Sequence, residues 1–205
     1  MTFKDKSLKG AWLDKVSLYD AGQFLEGKAE NVYSQGGEDG LIRACIEHYG
    51  IKAPGYCFEV GAHDGVYYSN TLRLREQGWY ATLIERDEAL FGQLREYTST
   101  LVTCVHATIS EHVGIDSLLE RHDVDLGVID IDGQDYWAWH DMKVKPTLML
   151  VEHVGASGPP RRPERWSSQP RPSSLTQANY AAIEELGKEK GYVPLARTMC
   201  NVLFV

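Results

Sequence analysis

The pattern of apolar and polar positions changes character near residue 50. Residues 11–28 carry apolar side chains at Trp12, Leu13, Val16, Leu18, Tyr19, Phe24 and Leu25, a spacing that predicts a helix. Residues 38–49 give a clearer one. Leu41, Ile42, Cys45, Ile46 and Tyr49 share a face, Glu47 and His48 lie off it, and Gly50 supplies the stop. Beyond this point, short apolar runs alternate with longer amphipathic ones. Strands are predicted at Tyr56–Val60, Trp79–Ile84, Leu101–Val105, Leu126–Ile131 and Thr147–His153, and helices at Asn70–Gln77, Glu88–Tyr97, Ile115–His122 and Tyr136–Met142. A last helix at Leu175–Lys190 ends at Gly191. Tyr192–Ala196 and Asn201–Val205 then read as two strands whose short connection favours an antiparallel hairpin.

Strands alternating with helices pair in parallel through right-handed crossovers. The expectation is therefore an α/β fold, a doubly wound seven-stranded sheet, mostly parallel, with an antiparallel C-terminal strand. Residues 1–50 are expected as a helical extension packed on a core at 51–205, the whole forming one domain, since 205 residues suit a single buried core. A loop at 155–173 interrupts the pattern. Prolines rule out regular structure there, and Arg161, Arg162, Arg165 and Arg171 make it basic within a chain of net charge −8. Such a loop reads either as a lid, with Arg161, Arg162 and Trp166 meeting an anionic acceptor, or as a surface excursion.

The overall acidity opposes diffuse binding to nucleic acid or to anionic membranes. Nothing in the chain approaches the length of a membrane span, and the lysine-rich start has no apolar run behind it, so the expected location is the cytoplasm. Cys45, Cys57, Cys104 and Cys200 are scattered and form no C-x-x-C pair, which suits buried free thiols.

Candidate chemistry gathers at strand ends, where open α/β sheets bind ligands. Phe58-Glu59-Val60-Gly61-Ala62-His63-Asp64-Gly65 occupies the first β–α turn, with a G-x-x-x-G spacing in place of the dinucleotide fingerprint. Glu59 at a buried strand end needs a partner, and an amine-bearing ligand would provide one. Glu85 closes the next strand, placed to accept hydrogen bonds from ribose hydroxyls. Asp130 and Asp132, two apart after the fourth strand, either share a proton, with one acting as general base, or hold a hard cation such as Mg2+. Alternatively Asp132 caps the following helix while Asp130 contacts the cofactor amine. His153, which ends the fifth strand, is a candidate proton acceptor.

Ser34-Gln35-Gly36-Gly37-Glu38-Asp39-Gly40, the Phe58–Gly65 turn with Ser69-Asn70-Thr71, Gly78-Trp79, Leu83-Ile84-Glu85 and Ile129-Asp130-Ile131-Asp132-Gly133-Gln134-Asp135-Tyr136-Trp137 together resemble the FkbM-type methyltransferases. The resemblance covers residues 31–153 and implies a Rossmann-like class I methyltransferase fold with S-adenosyl-L-methionine as cofactor. It implies O-methylation of a hydroxyl on a sugar, glycan unit or other small metabolite. By position it puts Glu59, Gly61 and Asp64 at the methionine end of the cofactor, with Ala62 in the same turn. Glu85 falls at the ribose, and Gln35, Asn70 and Asp130 nearby. The competing readings are a nucleic-acid or nucleotide methyltransferase using the arginine loop, and a domain that binds cofactor or nucleotide without catalysis. A homodimer is left open.

Overall fold

A computed structural model describes residues 13–155, 157–166 and 177–205. Its centre is one eight-stranded sheet: β1 (Ser17–Leu18), β2 (Tyr56–Val60), β3 (Tyr80–Glu85), β4 (Val102–His106), β5 (Leu126–Ile129), β6 (Leu148–Glu152), β7 (Pro194–Arg197) and β8 (Asn201–Phe204). The spatial order is β1-β7-β8-β6-β5-β2-β3-β4. Strands β2 to β6 pair in parallel, whereas β8 runs antiparallel to β6 and to β7. All seven expected strands are present. The eighth, β1, pairs antiparallel with β7 at the sheet edge.

Strand β1 corrects the reading of residues 11–28. In place of a helix, the described residues form a 3-10 turn at Leu13–Lys15, the short strand, and a second 3-10 turn at Asp20–Leu25. Tyr19 donates its N–H to the Leu195 carbonyl, and a Cβ on Gly22 would lie 1.8 Å from that same oxygen. Docking against the β7 backbone thus overrides local helical spacing. The predicted helix at Ile115–His122 likewise shrinks to a 3-10 turn at Ile115–Ser117. The last helix is described only from Tyr180 onward; the start of its predicted span, and residues 167–173 of the basic loop, lie outside the described residues.

The helices are α1 (Glu38–Tyr49), α2 (Leu72–Glu76), α3 (Glu88–Leu94), α4 (Asp135–Asp141) and α5 (Tyr180–Glu189). Side chains alternate across the strands with period two, and each face of the sheet buries its own core. On one face, Phe58, Val60, Ile129, Met149 and Val151 pack with Trp139 of α4 and Ile183 and Leu186 of α5. On the other, Cys57, Leu83, Val128, Leu148 and Leu150 pack with Leu41, Ile42 and Cys45 of α1, Leu74 of α2 and Leu94 of α3. Among the described residues no helix is long and apolar enough to cross a membrane.

Candidate functional site

From β2 the chain proceeds outward through β3 and β4, then returns to the other flank of β2 as β5 and continues to β6. The order of winding therefore reverses between β2 and β5, and a crevice opens at the carboxyl ends of such neighbouring strands. A cleft of about 970 Å³ lies there, lined by Glu59 and Gly61 after β2, Glu85 after β3, Asp130 and Asp132 after β5, and Glu152 at the end of β6.

Parity explains why so many acids share this rim. Cys57, Leu83, Val128 and Leu150 all face the α1–α3 core, and Glu59, Glu85, Asp130 and Glu152 each follow one of them by two positions. The same count removes His153 from the site. It follows Val151, faces the α5 side, is buried, and makes an edge contact with Tyr180 at 5.9 Å between ring centroids. His153, expected as a proton acceptor, does not line the cleft, and neither ring nitrogen has a hydrogen-bond partner.

The acids of the β2–β3 half each take three donors from the chain. Glu59, buried, accepts from the Asn70 N–H at 2.7 Å and from the hydroxyls of Ser69 at 2.7 Å and Thr71 at 2.6 Å. Glu85 accepts the N–H groups of His63 at 2.9 Å, Arg86 at 2.8 Å and Asp87 at 2.7 Å. These bonds tie the β2 turn to the β3 turn and shape the cleft wall. Gly61 adopts φ +83°, and a Cβ there would lie 1.6 Å from the Asp130 carbonyl. What requires glycine is therefore the backbone of β5, crossing behind the turn.

Other residues of that turn fall outside the cleft. Ala62 is buried in the α1–α3 core. Asp64 accepts from the N–H groups of Val66 and Tyr67, closing the turn. Asn70 lines a separate, smaller cavity. Of the residues expected at the cofactor, Ala62, Asp64 and Asn70 thus do not line the cleft, whereas Gln35 does and donates to Cys200 Sγ at 3.2 Å.

The β5–β6 half behaves differently. Asp130, Asp132 and Glu152 each bring an oxygen within 4.8 Å of the others. Burial, then the neighbouring acids Asp135, Asp132, Glu59 and Glu38, hold the Asp130 carboxyl well above the usual range. Burial, then Asp135, Asp130 and Asp132, push Glu152 up to about 10. Glu152 accepts from Gln177 Nε2 at 2.8 Å and from the Asp132 N–H at 3.2 Å. Asp132 is exposed at φ +55° and caps nothing. Asp135, the first residue of α4, takes the N–H groups of Ile131 at 2.7 Å and Gly133 at 3.0 Å on its carboxylate, and Gln134 stands at the N-cap without a side-chain bond, so the helix-cap reading of Asp132 is corrected. Burial raises Asp135 to about 6 despite those two donors.

The basic loop is pinned to α4 and α5. Arg162 pairs with Glu185 at 2.6 Å and lies over the Tyr136 ring, and Arg165 pairs with Asp141 at 2.9 Å. Arg161 bonds through its backbone to Asn179. None of the three arginines lines the cleft, although Arg161 and Arg162 were expected to bind the acceptor. Trp166 does reach it, held by its N–H to Gln134 Oε1 at 2.8 Å and by its indole N–H to Asp141.

The four non-glycine residues with positive φ among those described are His63, Tyr68, Asp132 and Trp166, and all four line this cleft. Backbone strain of this kind concentrates at functional sites. Sequence reasoning missed Glu152, Gln177 and the 107–112 wall that follows β4. Counting parity back from Glu59 and Asp130 was the signal available for Glu152.

No protein-family model matches the chain, and no curated protein matches it. Solved structures do resemble it in fold. A SAM dependent methyltransferase from Aquifex aeolicus aligns with a TM-score of 0.50 at 10% identity, over 80% of this chain and 89% of that one. A TehB-like SAM-dependent methyltransferase from Corynebacterium glutamicum aligns at 0.51 and 11% identity, over 88% and 91%. The N-terminal domain of EvdMO1, with SAH bound, aligns at 0.53 and 14% identity, over 82% and 79%. The chain has the Rossmann-like α/β fold seen in S-adenosylmethionine-dependent methyltransferases.

Proposed function

We propose that this protein is an S-adenosyl-L-methionine-dependent methyltransferase of FkbM type that methylates a hydroxyl of a sugar, glycan unit or other small metabolite. One observation carries the reading: Glu59, Glu85, Asp130 and Glu152 all line a single cleft at the point where the sheet reverses its winding. The fold likeness to two proteins described as methyltransferases and to a third solved with SAH bound supports it.

In this reading the cofactor lies across the ends of β2 and β3. Its ribose faces Glu85, its adenine the wall at 107–112, and its methionine end Gly61 and Gln35. The acceptor lies over β5 and β6, beside Trp166. The chain's contribution is to align the acceptor oxygen with the methyl group, exclude water and take up the hydroxyl proton. Asp130 is the proton acceptor in this reading, because its carboxyl lines the cleft at the end of β5, where burial and the neighbouring acids raise its affinity for a proton above that of an ordinary carboxylate. Asp132 and Glu152 set the charge around it. The paired arginines of the loop count against a nucleic-acid substrate.

A divalent cation such as Mg2+ is a second reading, favoured by the 4.8 Å grouping of Asp130, Asp132 and Glu152 oxygens. Calorimetric titration with S-adenosylhomocysteine, with and without magnesium, tests both. Saturable binding is expected, and a magnesium-dependent affinity would move the three acids to the metal reading. Absence of binding by folded protein in either condition would sink the methyltransferase proposal.

A further inference from the structure

The β5–β6 half of the cleft presents acids and ring surface without a cationic side chain. Asp130, Asp132 and Glu152 bring oxygens within 4.8 Å of one another. Among the described residues, no lysine, arginine or histidine pairs with any of the three. The donors that reach them are uncharged: Gln177 Nε2 and the Asp132 N–H, both on Glu152. The cations that could offset this charge are committed elsewhere. Arg162 and Arg165 pair with Glu185 and Asp141 away from the cleft. Arg86, the only lysine or arginine among the described residues that line the cleft, stands just past β3. Close carboxyls repel one another, and a cleft walled by one sign of charge draws ligands of the other. An anionic acceptor, such as a sugar phosphate or a nucleotide, would add to the repulsion.

The ring surface is a separate observation. Tyr67, 56% exposed, lines the same cleft, as does Tyr68, whose ring centroid lies 4.2 Å from that of Tyr67. Trp166 gives its indole N–H to Asp141, so what it brings to the cleft is ring face and edge in place of a donor. A hard cation such as Mg2+ takes oxygen ligands and gains nothing from aromatic rings. An organic ammonium group gains from carboxylates and from aromatic faces alike.

We propose that the acceptor is an amine-bearing alcohol of the amino-sugar class, its ammonium group held by Asp132 and Glu152 and its reacting hydroxyl turned to Asp130. The inference rests on the methyltransferase reading and names the substrate class of that same site. Trp166 flanks the body of the acceptor. Gln134 holds Trp166 in place, accepting its N–H at 2.8 Å and donating to the Glu164 carbonyl at 3.2 Å.

The test is a ¹⁵N NMR titration of the full chain, first with S-adenosylhomocysteine and then, at saturation and without magnesium, with glucosamine, glucose or glucose 6-phosphate. Glucosamine should give saturable shifts at the amides of residues 130–135 and 152 and at the Trp166 indole N–H. Its affinity should exceed that of glucose by about tenfold, the effect of one hydrogen bond to a charged group at the lower end of the range. Glucose 6-phosphate should bind no better than glucose. Asp132→Asn, a change at an exposed position, should bring glucosamine to the level of glucose. No saturable glucosamine shifts, equal affinity for glucosamine and glucose, tighter binding of the phosphate, or a preference unchanged in Asp132→Asn would each overturn the proposal. So would saturable shifts at the same amides from magnesium chloride alone that glucosamine does not displace. Failure of S-adenosylhomocysteine to bind in the first step strikes the methyltransferase reading and this inference with it, whereas cofactor binding without an amine preference strikes this inference alone.

Discussion

The two halves of the cleft use the same residue type at the same kind of position and leave it in opposite states. Glu59 and Glu85 each receive three hydrogen bonds from neighbouring turns. Asp130 and Glu152, on the same face one and two strands away, are short of donors and crowded by other acids, and their carboxyls are raised. Desolvation and like charge raise Asp130 and Glu152, where few donors offset them. One half fixes the turns through its donors, and the other gathers carboxyls whose charged form burial disfavours.

That contrast can be broken most severely at Asp130. In the proposed function, Asp130→Asn removes the proton acceptor while keeping its shape, and turnover should fall by about 10²–10⁴-fold with little change in melting temperature. Turnover that survives the substitution would transfer the role elsewhere.

Glu59→Ala tests the scaffold half. It strands the Ser69 and Thr71 hydroxyls and the Asn70 N–H in the interior, a loss of about 3 kcal/mol. For a chain of this size that lowers the melting temperature by about 6–12 °C. Glu152→Ala should cost far less near pH 8, because it removes a carboxyl that burial already disfavours. If thermal melts gave equal losses for the two variants, the distinction between the halves would fail.

Glu85→Ala should weaken S-adenosylhomocysteine binding by about 10-fold, the equivalent of one hydrogen bond to a charged group at the lower end of the range, since three donors of the chain already occupy the carboxylate. Asp64→Ala should leave affinity close to the native value, because Asp64 closes a turn away from the cleft. Calorimetry of the pair separates contact from proximity.

The smallest effect concerns pH. Asp135 and Glu152 have folded-state pKa values of about 6 and about 10, above their ordinary values, so the folded chain keeps protons that the unfolded chain releases. The associated stability is complete below the ordinary carboxylate range. It declines as pH rises, first through about 6 for Asp135 and then toward about 10 for Glu152. Melting temperature should therefore drift down between pH 5 and 9, and Glu152→Gln should flatten the upper part of that drift. A native curve rising over this interval would contradict the assigned directions.

Much of this was legible in the residues. Period-two runs gave seven strands, and the strand–helix alternation implied their parallel pairing. The β2 turn, Glu59, Glu85 and the Asp130–Asp132 pair were visible as acids and glycines at strand ends. Parity, which a count from Val151 supplies, puts His153 on the face away from the cleft. The partners of Arg161 and Arg162, Asn179 and Glu185, lie on the far side of the loop and at or beyond the start of α5, where no local pattern announces them.

The sequence by itself thus determined the periodicities, the crossovers and the residue types at strand ends, because each depends on neighbours within a few positions. Tertiary structure alone decided that residues 17–18 form an edge strand, that Asp135 closes the turn before α4, and which acids receive donors from the chain. Those outcomes depend on donors and backbones supplied from distant parts of the chain, such as Leu195 for β1 and Gln177 for Glu152, and no local pattern encodes them.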